Sequence, residues 1–151
     1  MPTIFDHFQN LTLTDDQRNA LEKITEFLNS DAKIFILKGY AGSGKTTLLK
    51  GLVKYLQEEK KQCQVMAPTG RAAKILRKKV GQGETIHKSI YKFDRLENDE
   101  NTYEYIYPIR LEEDSERRIF IVDEASMISN KESKQEFFRF GTDILLQDLL
   151  T

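Results

Sequence analysis

Apolar residues recur at helical spacing in three stretches of this chain. The first follows Thr14 and continues to Leu28, and Gln17 at the third helical position completes a capping-box pattern with Thr14. The second stretch occupies residues 46–57, and the third, which is strongly basic, occupies residues 71–79. We therefore predict three helices at these positions.

Short apolar runs stand between and beyond these helices. Two of these runs are rich in β-branched residues, Ile34–Leu37 and Ile119–Val122, and the third, Cys63–Ala67, is apolar except for Gln64. Turn-forming or polar residues bound all three. Such runs are typical of strands that are buried in a sheet. We predict three buried strands here.

The other segments have weaker patterns. Residues 1–13 are interpreted as a loosely structured lead-in, and residues 129–140 are predicted to be helical. Residues 94–118 hold nine acids against four arginines, so we expect an inserted acidic arm or hairpin there, with strands over residues 103–107 and 109–111. The tyrosines at positions 103, 105 and 107 fit one face of a strand, and base stacking is the alternative. A leucine-rich end, Leu145–Leu150, is interpreted as packing.

Composition excludes several classes of protein. A length of 151 residues predicts one domain, 1–151, and 23 basic against 24 acidic residues exclude a histone-like protein. Nucleic-acid binding stays open because residues 60–80 hold seven Lys or Arg and no acid. A single cysteine, Cys63, excludes an internal disulfide and favours a reducing, cytoplasmic setting. The longest purely apolar runs have four residues, so no membrane span is expected.

A glycine-rich segment matches the phosphate-binding pattern G-x-x-x-x-G-K-[ST] between a predicted strand and a predicted helix. Glycines let backbone N–H groups surround phosphates, and the helix N-terminus adds positive potential. Lys45 would reach the β- and γ-phosphates of ATP, and the Thr46 hydroxyl would ligate Mg²⁺. The predicted nucleotide-binding residues are Gly39, Ala41, Gly42, Ser43, Gly44, Lys45, Thr46 and Thr47.

Two acids follow the third predicted strand directly. A parallel strand that ends in Asp123 and Glu124 would deliver both carboxylates to the edge of a sheet where ligands bind. Asp123 would hold Mg²⁺ through water, and Glu124 would polarise the attacking water. We predict Lys45, Asp123 and Glu124 as the catalytic residues.

Five segments in this order resemble the motifs of superfamily 1 DNA helicases of the RecD-like and Dda-like branch. They cover most of the chain, from about Thr14 to Met127. Thr14–Gln17 resembles the glutamine motif, and Gly39–Thr46 resembles motif I. Ala67–Ala73 resembles motif Ia, and Thr85–His87 resembles motif Ib. Asp123–Met127 resembles motif II.

The resemblance implies a fold, an activity and contacts. It implies an α/β, RecA-like P-loop fold, a parallel sheet with flanking helices. The implied activity is Mg²⁺-dependent ATP hydrolysis that drives 5′-to-3′ movement on single-stranded DNA and unwinding, with uses in DNA repair and recombination. Gln17 would read the adenine. The implied DNA contacts are Pro68, Thr69, Gly70, Arg71, Thr85 and His87.

The resemblance stops after Met127. No segment matches motif III, since Gly141-Thr142-Asp143 lacks a preceding apolar strand, and no segment matches the second motor domain. We therefore expect an incomplete sheet whose open edge favours non-native association. The isolated 151 residues are expected to be nearly inactive.

Several alternatives stay open. The basic stretch 71–79 is either a DNA contact or a solvated helix face, and His87 is either a stacking or phosphate contact or a packed core residue. Gln17 serves as a cap, an adenine contact or both. For the whole chain, the alternatives are a P-loop ATPase module that acts on a protein partner, and a non-catalytic nucleotide-binding fragment.

Overall fold

The computed structural model describes residues 2–100, 104–110, 118–133 and 138–151. Its helices are α1 (Asp15–Leu28), α2 (Lys45–Glu58), α3 (Gly70–Val80), α4 (Ile86–Ile90) and α5 (Leu145–Leu150). Its strands are β1 (Cys63–Ala67), β2 (Glu84–Thr85), β3 (Glu97–Asp99), β4 (Glu104–Tyr107), β5 (Ile119–Val122) and β6 (Phe138–Phe140). Two 3₁₀ helices cover Ile4–Phe8 and Ala125–Met127. The chain divides into two compact units, Met1–Gln62 and Cys63–Thr151.

The first unit has a core between α1, α2 and the N-terminal 3₁₀ helix. Residues 1–13 were expected to be loosely structured, and this expectation is wrong, because Ile4 and Phe8 are 2% and 3% exposed. Phe8 packs onto α2 at Gly51, where any β-carbon would collide with the Phe8 ring. A glycine inside a helix weakens it, and here the missing side chain makes room for an aromatic anchor.

The predicted strand Ile34–Leu37 is absent. These four residues have no strand assignment, and Ile34 and Ile36 are 61% and 72% exposed. An extended apolar run becomes a strand only when neighbouring strands satisfy its backbone N–H and C=O groups, and no described strand pairs with this run. The apolar pattern was therefore not sufficient to form a strand here.

The second unit contains a parallel sheet in the order β2-β1-β5. Strand β1 pairs with β2 and β5, and α3 and α4 pack against β1 and β2. Val65, Met66 and Ala67 are fully buried, which confirms the predicted buried strand, and its place at the centre of the sheet was not predicted. Strand β5 also forms where predicted, but it is only half-buried. Phe120 is 45% exposed, and β5 pairs only with β1 among the described residues.

A second sheet has the order β3-β4-β6. Its strand β4 lies within the strand predicted over residues 103–107, whereas β3 and β6 were not predicted. Strands β3 and β4 are antiparallel, and β6 joins β4 in parallel. Residues 129–140 were expected to be helical, and this is wrong at β6, where pairing with β4 outweighs local propensity; residues 134–137 lie outside the described part. The expected strand over 109–111 is also not seen, because Ile109 forms only an isolated bridge to Tyr91. Residues 101–103 and 111–117 lie outside the description, and the acidic arm over 94–118 stays a prediction.

Candidate functional site

The glycine-rich loop leads directly into α2. Gly42 and Gly44 have φ angles of +77° and +87°, which L side chains rarely adopt, and Gly44 is the N-cap of α2. Lys45 is the first residue of α2, and Thr46 and Thr47 follow in its first turn. The loop therefore has the backbone conformation and the helix N-terminus that suit a phosphate group.

The Lys45 ammonium lies over this loop. Its Nζ donates to the carbonyl oxygens of Gly39 at 2.5 Å and Tyr40 at 2.8 Å. A β-carbon at Gly39 would lie 2.7 Å from the Ser43 Oγ, so the Ser43 side chain would have to move to admit one. The Lys45 ammonium and the turn of the glycine-rich loop lie together, and this combination suits the binding of a phosphate group.

Gln17 joins the start of α1 to the same loop. Its backbone N–H donates to the Thr14 hydroxyl and its side-chain Oε1 accepts from the Thr14 N–H, which confirms the predicted capping box. Its Nε2 also donates to the Ser43 carbonyl at 3.1 Å. The Gly44 α-carbon faces this amide so closely that a β-carbon would collide with it. Gln17 therefore both completes the capping box of α1 and supports the loop.

The carboxyl edge of the parallel sheet brings three of the sequence motifs together within the second unit. Ala67 at the end of β1 lies opposite Thr85 at the end of β2, and Met66 lies opposite Val122. The Asp123 N–H continues the ladder by donating to the Met66 carbonyl at 2.9 Å. As a result, the segments that begin at Pro68, Thr85 and Asp123 leave one sheet at the same edge.

The first of these segments caps α3. The Thr69 hydroxyl accepts from the Ala72 N–H at 3.2 Å, and Thr69, Gly70 and Arg71 are exposed at the helix N-terminus. On α3, Ala73 and Leu76 face the core, and Arg71, Lys74 and Lys78 lie on the opposite face. The free N–H groups and the basic face suit a phosphate chain.

Arg77 differs from the other basic residues of α3. Its Nη2 and Nε donate to the Gly83 carbonyl at 2.8 Å and 3.2 Å, and Nη2 also contacts the Glu84 carboxylate at 3.2 Å. Glu84 in turn pairs with Lys88 on α4. Arg77 therefore ties α3 to β2.

His87 lies in an aromatic cluster. Its ring centroid is 5.2 Å from that of Phe140 and 5.6 Å from that of Tyr91. Burial lowers the pKa of His87 below its usual value, so the ring is mainly neutral at pH 7. This geometry favours packing or stacking over a charged phosphate contact. Thr85, which caps α4 through the Lys88 N–H, is half-buried at the sheet edge.

The two acids after β5 have different environments. Asp123 is half-buried and its Oδ1 accepts from the Glu124 N–H at 3.0 Å, whereas Glu124 is exposed. Glu124 has φ +55° and ψ +37°, a left-handed conformation that is unfavourable for a residue with a side chain. Such strain is typical of residues whose position is fixed by function.

The Thr46 hydroxyl belongs to the first unit and the Asp123 carboxylate to the second, and each is an oxygen ligand of the kind that Mg²⁺ prefers. No group of three or more His, Cys, Asp or Glu side chains suited to a metal ion occurs among the described residues. Mg²⁺ in nucleotide sites is held by one or two protein oxygens together with phosphates and water, so each of these two oxygens taken by itself has suitable donor chemistry.

Sequence reasoning missed a buried polar group in the leucine-rich end of the chain. Helix α5 forms over Leu145–Leu150, but its buried residue is Asp148, which is 3% exposed, while Leu150 is 60% exposed. The signal in the sequence was an acid in the middle of an apolar stripe.

Within the part of the chain that is described, no helix has the length and apolar character to cross a membrane.

Comparisons with known proteins agree with this geometry. Residues 12–140 match a family described as an AAA domain. The ATP-dependent DNA helicase dda of Enterobacteria phage T4 is 32% identical over 121 residues, which is 79% of this chain and 27% of that protein. Replication restart protein PriA of Bacillus subtilis (strain 168) is 39% identical over 66 residues, which is 43% of this chain and 8% of that protein.

The chain thus spans a minor part of the length of both relatives. The family match covers the segment from the α1 cap to β6, and together with the parallel sheet and its helices it confirms the α/β P-loop fold class. The chain belongs to the AAA domain family, and its resemblance to the N-terminal part of the first motor domain of RecD-like and Dda-like superfamily 1 helicases is confirmed.

Proposed function

We propose that this chain is the ATP-binding and single-stranded-DNA-binding part of a helicase motor. The observation that carries the proposal is the common sheet edge from which Thr69, Thr85 and Asp123 emerge. Segments suited to DNA phosphates and carboxylates suited to hydrolysis are joined there by adjacent strands. A movement of the carboxylates can therefore displace the segments proposed to contact DNA, because these segments follow adjacent strands of one sheet.

The glycine-rich loop would hold the triphosphate of ATP. Lys45 would exchange its bonds to the Gly39 and Tyr40 carbonyls for bonds to phosphate oxygens, which are stronger acceptors because they are charged. Mg²⁺, held by Thr46 and Asp123, would neutralise the phosphate charge that develops during the reaction.

Hydrolysis would follow from an in-line attack of water on the γ-phosphate. Glu124 would orient this water and accept its proton, and ADP would leave with the bridging oxygen. A second motor domain and its arginine would complete the cleft, as the resemblance implies. Closure of the two domains on ATP would then move the DNA strand.

Single-stranded DNA would lie along the exposed N-terminus of α3. The N–H groups near Thr69 and Gly70 would bind a phosphate, and Arg71, Lys74 and Lys78 would add a sequence-independent attraction. The single cysteine, Cys63, supports a reducing, cytoplasmic setting for this activity.

Two binding measurements on residues 1–151 test the proposal. Calorimetry is expected to show weak Mg-ATP binding that Lys45→Ala abolishes and that Lys50→Ala, on the exposed side of α2, leaves unchanged. Fluorescence anisotropy is expected to show weak, salt-sensitive binding of single-stranded DNA. Equal ATP binding by wild type and Lys45→Ala, or no DNA binding at low salt, would contradict the proposal.

A protein partner is the second candidate for the basic face of α3. Ile75 is 47% exposed beside Lys74, and an apolar side chain among cations suits an acidic protein surface. Under this alternative the chain is still a P-loop ATPase module, but DNA neither binds it nor stimulates turnover. Nucleotide binding without DNA binding would favour this candidate.

A further inference from the structure

A buried carboxylate organises the second unit away from the sheet edge. The Asp148 carboxylate accepts from the Tyr91 hydroxyl at 2.6 Å, from the Thr142 hydroxyl at 2.6 Å and from the Thr142 N–H at 3.1 Å and 3.2 Å. A β-carbon at Gly141 would collide with this carboxylate, so the turn before α5 is shaped to receive it. A buried carboxylate without such donors would be strongly unfavourable.

The Tyr91 hydroxyl is a donor in this network. Burial and then the hydrogen bond to Asp148 raise the pKa of Tyr91 well above its usual value, so the phenol keeps its proton at neutral pH. The bond between Tyr91 and Asp148 therefore connects α5 to the residue that ends α4.

Tyr91 also fixes α4 from its C-terminal end. Its N–H donates to the His87 carbonyl at 3.0 Å, and its ring packs against His87 and Phe140 with centroids 5.6 Å and 5.2 Å away. The Arg110 N–H donates to the Ile90 carbonyl at 2.6 Å beside it. Helix α4 has only five residues, so its orientation depends on tertiary contacts at both ends, namely these contacts at Tyr91 and the packing of the buried Ile86 beside the parallel sheet.

The other end of α4 is the sheet edge. Thr85 caps the helix and lies opposite Ala67, the residue before Pro68 and Thr69. A displacement of Tyr91 would also displace Thr85 and His87, because a packed helix of one to two turns moves as a rigid body.

We propose that Asp148, acting through Tyr91, is a positioning residue for the Thr85–His87 segment, and that it sets the affinity for single-stranded DNA without touching DNA itself. This inference rests on the proposed function. It assigns a role to Asp148, which belongs neither to the five motifs nor to the nucleotide site.

The test compares Tyr91→Phe with Tyr105→Phe in residues 1–151. Tyr91→Phe removes the donor but keeps the ring against His87 and Phe140, and Tyr105 is a matched control because it is 52% exposed on β4. We expect Tyr91→Phe to weaken single-stranded DNA binding about 3- to 10-fold, as the loss of one hydrogen bond allows. Tyr105→Phe is expected to change this affinity less than 2-fold, and ATP affinity is expected to stay constant in both.

A double-mutant cycle separates positioning from general loosening of the fold. If Tyr91 acts through His87, then His87→Ala will weaken DNA binding less in the Tyr91→Phe background than in wild type. Additive losses would overturn the inference, as would equal DNA affinity in Tyr91→Phe and Tyr105→Phe. If Tyr91→Phe does not fold by circular dichroism, Thr142→Val, which removes one donor to Asp148, takes its place in the same cycle.

The outcomes also separate this inference from the proposed function. A wild-type chain that binds no single-stranded DNA contradicts the proposed function and the inference with it. A wild-type chain that binds DNA while Tyr91→Phe binds equally well contradicts the inference alone.

Discussion

The Gln17 side-chain amide donates a hydrogen bond to the Ser43 carbonyl, across 26 residues of sequence. Through this bond the cap of α1 supports the phosphate loop. We predict that Gln17→Ala lowers the free energy of unfolding by about 1 kcal/mol, because the capping box is lost. ATP affinity should fall roughly 2- to 10-fold, because the loop loses a support worth one hydrogen bond.

Thermal unfolding and calorimetry measure these two effects of Gln17→Ala. Gln57→Ala, at an exposed position of α2, is the matched control and should change neither quantity appreciably. Unchanged ATP affinity in Gln17→Ala would show that the bond to Ser43 does not matter for the loop.

Glu124 lies in a left-handed conformation, and its replacement can separate strain from chemistry. Glycine adopts this conformation readily, whereas alanine keeps a β-carbon. We predict that Glu124→Gly is more stable than Glu124→Ala, with a free energy of unfolding about 1 kcal/mol higher, although both variants lack the carboxylate. Chemical denaturation of the two variants measures the difference, and equal stability would mean that the conformation at Glu124 carries no strain.

The chemical role of Glu124 is tested by Glu124→Gln in a polypeptide that includes both motor domains. This variant should bind ATP normally and hydrolyse it about 10²- to 10⁴-fold more slowly, because it loses the base but keeps the shape of the side chain. Residues 1–151 alone should show almost no turnover, since an arginine from the second domain contributes about 10³–10⁵ in related systems. Brisk, DNA-stimulated turnover by residues 1–151 would contradict the interpretation as one part of a motor.

The basic residues of α3 should fall into two classes. The triple variant Arg71→Glu, Lys74→Glu and Lys78→Glu is expected to lose single-stranded DNA binding with little change in melting temperature, because these residues are exposed. Arg77→Ala is expected to destabilise the fold by about 1 kcal/mol, because Arg77 bonds to the Gly83 carbonyl. If the triple variant binds DNA like wild type, this face of α3 is only a solvated surface.

The contact between Gly51 and the Phe8 ring in the first unit leads to a prediction about packing. Gly51→Ala places a methyl group in the Phe8 ring and should lower the free energy of unfolding by about 1–3 kcal/mol, despite the better helix propensity of alanine. Gly70→Ala in the first turn of α3, where a β-carbon meets open space, is the control. A Phe8→Leu background should reduce the cost of Gly51→Ala if the collision with the ring is its cause.

The sequence alone determined the features whose physics is local. Helices α1, α2 and α3 begin and end within one or two residues of their predicted limits, because the 3.6-residue period and the caps at Thr14 and Thr69 act within one or two turns. The glycine-rich loop was equally readable, since its glycines and Lys45 occupy fixed positions in a short pattern.

Only the tertiary structure decided the features that depend on distant partners. Ile34–Leu37 has the composition of a strand but no described neighbour to pair with, whereas Phe138–Phe140 becomes a strand because β4 lies beside it. Asp148 is buried because Tyr91, 57 positions away, supplies a donor to its carboxylate. Strand ladders and buried polar groups are satisfied across the fold, so a local pattern cannot reveal whether the partner is present.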